Sequence, residues 1–358
     1  MQNSVFYNSH LERVSRSFSF CIARLEGEFG QQVALSYLLL RVLDTVEDIE
    51  WSTVEQQSTA FGVFEQLIDG AAKAQFATEV WGKWLQSIPP SATESERLLL
   101  ADSNLLFGDL GETEPRARQI IINCIANMSR GMRYFQGQKQ LKTQFKIGSL
   151  SELNGYCFFV AGVVGELLTE LLLLRSREFS SNSKVFACAI QFGLFLQKIN
   201  ILKDQLVDEK EGRLLVQSRT ELFASLKKDL AGAFEYLRSI PKSEVGFRLF
   251  CGWSLFLGLE SLPWIQKSWS LKILDKIPRV LTSAILKDIE NIILDDEALQ
   301  ARYQRLRESV VWGGAGFSGH NEQSPAEWIT SERFLKLYHG RLEVGQLVGL
   351  GILPAVKA

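Results

Sequence analysis

The sequence predicts an all-α protein, and three observations carry that prediction. The first proline is Pro89 and none occurs between Pro115 and Pro241, so long tracts lack the residue most hostile to helix interiors. A hydroxyl residue stands three positions before a carboxylate at Ser52…Glu55, Thr93…Glu96, Ser149…Glu152, Ser218…Glu221 and Ser324…Glu327, the spacing of the capping box that opens a helix. No stretch of strand-like alternation competes with these signals.

Taken in order, helices are predicted near 16–26, 29–49, 53–69, 72–87, 94–107, 116–136, 150–175, 184–208, 219–239, 244–268, 280–308 and 326–345. Pro325 would open the last of them, at the first helical position, where its missing N–H costs nothing extra. The glycine-rich tract from Trp312 to His320 follows a helix rather than a strand, which argues against a dinucleotide-binding turn.

With 358 residues, 46% hydrophobic and 22% charged, the chain can bury a large core, and one domain over 1–358 is expected. A net charge of −2 without any basic block argues against nucleic acid, and no nucleic-acid partner is expected. Cys21, Cys124, Cys157, Cys188 and Cys251 are odd in number and widely spaced, as befits reduced, buried thiols. His10, His320 and His339 are too far apart in sequence for a local zinc motif. The N-terminus shows no secretory signal, so a cytoplasmic location is expected. The most apolar stretch, Val160 to Leu174, contains Glu166 and Glu170 and is short for a membrane span, so it reads as a core helix and no transmembrane anchor is expected. Peripheral membrane contact stays compatible with the sequence, and oligomeric state cannot be read from it.

The chemistry concentrates in two acidic motifs. Asp44-Thr45-Val46-Glu47-Asp48 sets Asp44 and Asp48 four residues apart, on one helix face, where they repel unless a cation lies between them. Arg41 shares that face. Asp204-Gln205-Leu206-Val207-Asp208 repeats the spacing, and its polar stripe runs back through Asn200 and Gln197 on a helix otherwise made apolar by Phe192, Phe195, Leu196, Ile199 and Leu202. Two carboxylate pairs on apolar helices suit Mg2+ ions that share ligands with substrate phosphates. The expected metal-facing residues are Asp44, Glu47, Asp48, Asp204 and Asp208, and the expected chemistry is departure of a diphosphate.

Four runs in sequence order extend this reading: Ser15 to Phe18, Leu40 to Asp48, Tyr156 to Gly165, and Gly193 to Asp204. Together they resemble the squalene/phytoene synthase family, over about 13–280, and the Phe-Leu-Gln-Lys-Ile-Asn run at 195–200 is closer to its squalene synthase branch. The resemblance implies an isoprenoid-synthase helical bundle around a central apolar cavity, with 281–358 as a helical extension of unassigned role. It implies head-to-head condensation of two farnesyl diphosphates through presqualene diphosphate, then reduction to squalene with NADPH. It also implies that Arg16, Arg41, Lys203 and Arg213 hold the diphosphates and that Tyr156 lies by the reacting carbons. By the same resemblance Ser17, Arg41, Asn200 and Lys203 meet the cofactor, with Lys272 and Lys276 as a basic hook in which Leu274 replaces the family's arginine. That departure keeps open an enzyme that stops at presqualene diphosphate or makes a dehydrosqualene or phytoene-type product. A non-catalytic helical protein that binds prenyl lipids is the remaining alternative, and the retained aspartates argue against it.

Overall fold

The computed structural model describes residues 4–140, 147–210, 218–271, 277–312 and 328–354; the side chains of 4, 16, 17, 138–140, 208–210 and 219 lie outside the description. All regular elements among these residues are helical. Arg213, Lys272, Lys276, the Trp312–His320 tract beyond Trp312 and the Ser324…Glu327 box fall outside it.

The chain divides into two compact units, Met1–Gln140 with Glu170–Arg175, and Leu141–Thr169 with Ser176–Ala358. The first unit contains α1 (Ser4–Val14), α2 (Arg16–Ile22), α3 (Gly27–Asp48), α4 (Val54–Ala72), α5 (Thr78–Ser87), α6 (Glu94–Ala101), α7 (Ser103–Glu112) and α8 (Pro115–Gln140). Its centre is α3, where Leu35, Leu38, Leu39, Val42, Leu43 and Val46 are fully buried. Phe64 of α4 meets the rings of Trp84 and Phe107 at 6.1 and 6.0 Å. Helix α1 carries no start signal that sequence reasoning detects. Tertiary bonds fix it instead: Tyr7 donates to Asp109 Oδ2 at 2.6 Å, and His10 Nε2 lies 3.0 Å from Asp102 Oδ2.

The caps explain where the helices start and where the expected boundaries move. Thr93 and Glu96 form both halves of a capping box at α6. At α4 the cap shifts one residue, because Thr53 takes the extended conformation and its hydroxyl accepts from the Gln56 amide at 3.2 Å. The expected helix 94–107 breaks at Asp102, where the Ser103 hydroxyl turns back onto the Leu100 carbonyl at 2.8 Å.

The second unit begins with α9 (Leu150–Cys157), a π-helical turn (Phe158–Gly162) and α10 (Val163–Arg175), whose last six residues group with the first unit. It continues with α11 (Ser183–Lys210), α12 (Arg219–Ser239), α13 (Val245–Leu271), α14 (Arg279–Ile292), α15 (Asp296–Ser309), α16 (Ser331–Leu337) and α17 (Val344–Gly349). Ser149 caps α9 and Ser218 caps α12, as expected, although the Glu152 carboxylate accepts from the Gly148 amide at 2.5 Å rather than closing a full box. The expected helix 280–308 divides because Asp295 accepts from the Glu297 and Ala298 amides, each at 3.0 Å, and starts a new helix. The expected helix 326–345 is likewise two short helices, the first capped by Thr330. The guanidinium of Arg248, buried in α13, joins three segments by donating to the Ile240 and Ile293 carbonyls and to Asp296 Oδ1 at 2.6, 3.0 and 2.6 Å.

Glycine sets the crossing of the π-helical turn and α10 with α11. A Cβ on Gly165 would stand 2.1 Å from the Ala189 carbonyl oxygen, and one on Gly193 2.3 Å from that of Ala161. Gly165 and Gly193 therefore serve backbone-to-backbone packing, while Gly162 makes room for the Leu194 and Ile190 side chains. Gly193→Ala must push the helices apart and is expected to cost about 1–3 kcal/mol, read as a lower denaturation midpoint with unchanged m.

Leu150–Arg175, Ser183–Val207 and Val245–Leu271 are long and apolar enough to cross a membrane by length and composition, so the sequence estimate based on Val160–Leu174 alone is too short. In the structure 67%, 61% and 72% of their most apolar windows are buried within the protein, the environment of core helices.

Candidate functional site

Helix α3 presents Tyr37, Arg41, Asp44 and Asp48 at positions i, i+4, i+7 and i+11, which fall on one face. From Gln32 to Asp48 these four are the residues of the helix that are not buried. Arg41 Nη2 holds Glu96 Oε1 at 2.7 Å and its Nη1 lies 3.8 Å from Asp44 Oδ2. Arg41 Nε is buried without a hydrogen-bond partner among the described residues. Glu96 is thus fixed from three directions, by the Thr93 hydroxyl and amide and by Arg41. Its burial works against ionisation, yet these partners hold the carboxyl below its ordinary range.

Asp44 behaves oppositely. Partial burial, with 36% of the side chain still exposed, pushes its carboxyl up to about 7. Arg41 opposes that rise, while the charges of Asp48 and Glu96 add to it. Such a crowded carboxylate face is one that a divalent cation relieves. Asp48 is exposed beside it. Glu47 is buried, 7% exposed, and its backbone carbonyl accepts from the Gln57 and Gln136 amides at 2.9 and 3.1 Å. Among the described residues no group of three or more His, Cys, Asp or Glu side chains converges as a metal cage. Asp44 and Asp48 are oxygen donors of the kind of which Mg2+ takes one or two, its other ligands coming from water and phosphate. Tyr37 and Glu96 were missed by sequence reasoning. Tyr37 is detectable in hindsight from its spacing to Arg41 and Asp44, whereas Glu96 arrives from another helix and leaves no local trace. Burial raises the Tyr37 phenol, and Ser15 supplies it a hydrogen bond that works the other way.

In the second unit, α11 exposes Asn200, Lys203 and Asp204, with Gln197 half-buried behind them. The other side of the helix is sealed by Leu194, Phe195, Lys198 and Leu202, all fully buried. Trp269 Nε1 donates to the Leu202 carbonyl at 3.2 Å and steadies the turn before Asp204. Asp208 lies on the same helix, with its side chain outside the described set, as are those of Arg16 and Ser17 on α2. Lys198, in the middle of the motif, is no phosphate ligand: it forms a buried ion pair with Asp229 and donates to Ser225 Oγ at 2.6 Å.

Tyr156 is half-buried on α9, one residue before Cys157, whose thiol burial pushes up to about 12. That thiol and the other four cysteines are buried and form no disulfide with one another, so thiol chemistry has no accessible group here. Phe158, Phe159 and Phe195 are fully buried, and Phe158 and Phe159 pack against Phe334 with ring centroids 5.5 and 5.2 Å away.

The squalene/phytoene synthase family matches residues 11–250, and the chain belongs to that family. The squalene synthase of Ganoderma lucidum is 31% identical over 203 residues, covering 57% of this chain and 41% of that protein. That of Rattus norvegicus is 29% identical over 204 residues, covering 57% and 44%. The match thus spans about two-fifths of the length of these relatives. Among solved structures, a ligand complex of TcSQS has a TM-score of 0.68 at 21% identity, covering 97% of both chains. A dehydrosqualene synthase bound to ligand has a TM-score of 0.55 at 16% identity, covering 81% of this chain and 95% of its own. Both share the helical fold.

Proposed function

We propose that the chain is a squalene-synthase-type prenyltransferase that joins two farnesyl diphosphates head to head through presqualene diphosphate and reduces the intermediate to squalene with NADPH. The observation that carries this reading is the α3 face, a carboxylate pair beside an arginine with an unused buried donor on a helix that is otherwise core. Asp44 and Asp48, and Asp204 with Asp208, are the residues that would hold Mg2+, which when bound offsets the charge of a departing diphosphate. Arg41, anchored by Glu96 and partly exposed, offers its guanidinium charge to a phosphate, and Lys203 offers an exposed ammonium from α11; Arg16 and Arg213 complete the proposed set. Condensation releases one diphosphate and one proton, and Tyr156 is the proposed neighbour of the carbon that loses it. Rearrangement releases the second diphosphate, and the resulting cation takes a hydride.

Of the proposed NADPH residues, the structure describes the side chains of Arg41, Asn200 and Lys203. Arg41 is already engaged by Glu96, which leaves Asn200 and Lys203 as the exposed candidates on α11 for the cofactor. The second reading, a dehydrosqualene or presqualene diphosphate synthase, is favoured by Leu274 standing where the resemblance expects arginine. Peripheral contact with a membrane surface would serve release of so apolar a product.

Incubating the pure protein with farnesyl diphosphate and Mg2+, with and without NADPH, separates these readings. The expected result is squalene with NADPH and presqualene diphosphate without it, and no product when chelator exceeds metal. Dehydrosqualene in both arms would establish the second reading; undiminished turnover in chelator would refute the metal role.

A further inference from the structure

Beyond the family-matched region, 328–354 contacts the helix that carries Tyr156 on both sides of that residue along the chain. Before it, Ser151 Oγ and Asn154 Nδ2 donate to the carbonyls of Ile352 and Gly351, each at 3.0 Å. The indole of Trp328 occupies the space over Gly155: a Cβ there would stand 2.2 Å from Trp328 Cζ2. Trp328 Nε1 is itself held by the Ile352 carbonyl at 2.9 Å. After Tyr156, Phe334 and Tyr338 pack on Phe158, with ring centroids 5.5 and 4.9 Å away. The buried Glu166 carboxylate then accepts the Tyr338 hydroxyl on both oxygens at 3.0 Å and takes the Arg341 amide as well. Tyr156 lies between these two sets of contacts and remains half-exposed.

The turn that follows Tyr156 is π-helical, a rare form found frequently at functional sites and one that persists where its surroundings over-determine it. These contacts supply that determination. We propose that 328–354 is a strut that positions the Tyr156 phenol, with Trp328, Tyr338 and Glu166 as positioning residues. This rests on the reading that Tyr156 borders the reacting carbons. A segment that merely covered an apolar helix would need neither the indole seated on Gly155 nor a buried carboxylate binding the turn at 338–341.

The test uses the full chain with Trp328→Ala and Tyr338→Phe, and Tyr303→Leu as a control. Tyr303 stacks on Phe234 at 4.0 Å, so its loss destabilises the same unit through a different packing contact. With farnesyl diphosphate and Mg2+, Trp328→Ala is expected to lower kcat by about 10-fold or more, since small misplacements of a reacting group are costly. KM should stay within about 2-fold, because the proposed diphosphate ligands are untouched. The ratio of products should shift, and amide exchange across 154–162 should quicken. Tyr303→Leu should lower the unfolding midpoint yet preserve kcat, product ratio and that exchange. Should Trp328→Ala fail to fold, the near-isosteric Tyr338→Phe carries the same expectations at smaller size. The strut is refuted if the two variants lose activity only in proportion to stability, as the control does, or if exchange across 154–162 is unchanged. A wild-type protein inert toward farnesyl diphosphate would instead refute the reading of Tyr156, and the exchange measurement would still decide whether 328–354 holds its helix.

Discussion

Asp44→Asn is expected to lower kcat by about 100-fold or more while leaving the helical content and the unfolding midpoint essentially intact. The substitution keeps the shape of the side chain and removes one anionic ligand, and loss of a metal-held charge at the leaving group is worth several kcal/mol, with each ~1.4 kcal/mol a factor of ten. The fold has little to lose there. Arg41 approaches Asp44 only to 3.8 Å and is held elsewhere by Glu96 at 2.7 Å. Steady-state kinetics across a Mg2+ titration, with circular dichroism as the structural check, measure both halves. Wild-type kcat at saturating Mg2+ would show that the α3 face is not the metal site.

The largest effect on stability is expected from Lys198→Met, at about 3–5 kcal/mol, because it strands the Asp229 carboxylate in the core. Lys198 and Asp229 are both buried, and burial already raises the Asp229 carboxyl against the stabilising charge of Lys198. The second change Asp229→Leu in the same chain should recover most of the loss, since replacing both partners removes the uncompensated charge. Urea unfolding of the two single variants and the double variant gives the coupling directly. Additive losses would mean that the two groups do not act as a pair.

The helical class was legible because it depends on local signals, namely proline-free tracts and caps such as Thr93, Ser149 and Ser218. Boundaries failed where a long-range partner or a competing cap decided them, as with α1, tied down through Tyr7 and His10, and with the break at Asp295. The acidic faces were legible for the same local reason, since spacing along one helix places Asp44 with Asp48 and Asn200 with Asp204. Glu47 differs in burial from its neighbour Asp48 because one residue is a rotation of roughly 100° around the helix, enough to turn a side chain toward the interior. Glu96 and the Trp328 contact with Gly155 were invisible, each joining residues from helices or segments far apart in the chain.

The late arrival of 328–354 also dictates an order of assembly. Phe158 and Phe159 leave the ribosome with the middle of the chain, yet their aromatic neighbour Phe334 and the carbonyls that receive Ser151 and Asn154 follow nearly two hundred residues later. At translation rates of about 5–20 residues per second this delay is roughly 10–40 s, during which the Phe334-facing side of that helix has no final partner. The nascent chain is therefore expected to expose a phenylalanine pair suited to chaperone capture until 328–354 emerges, and a stop codon placed anywhere between Leu271 and Trp328 would leave that surface open for good.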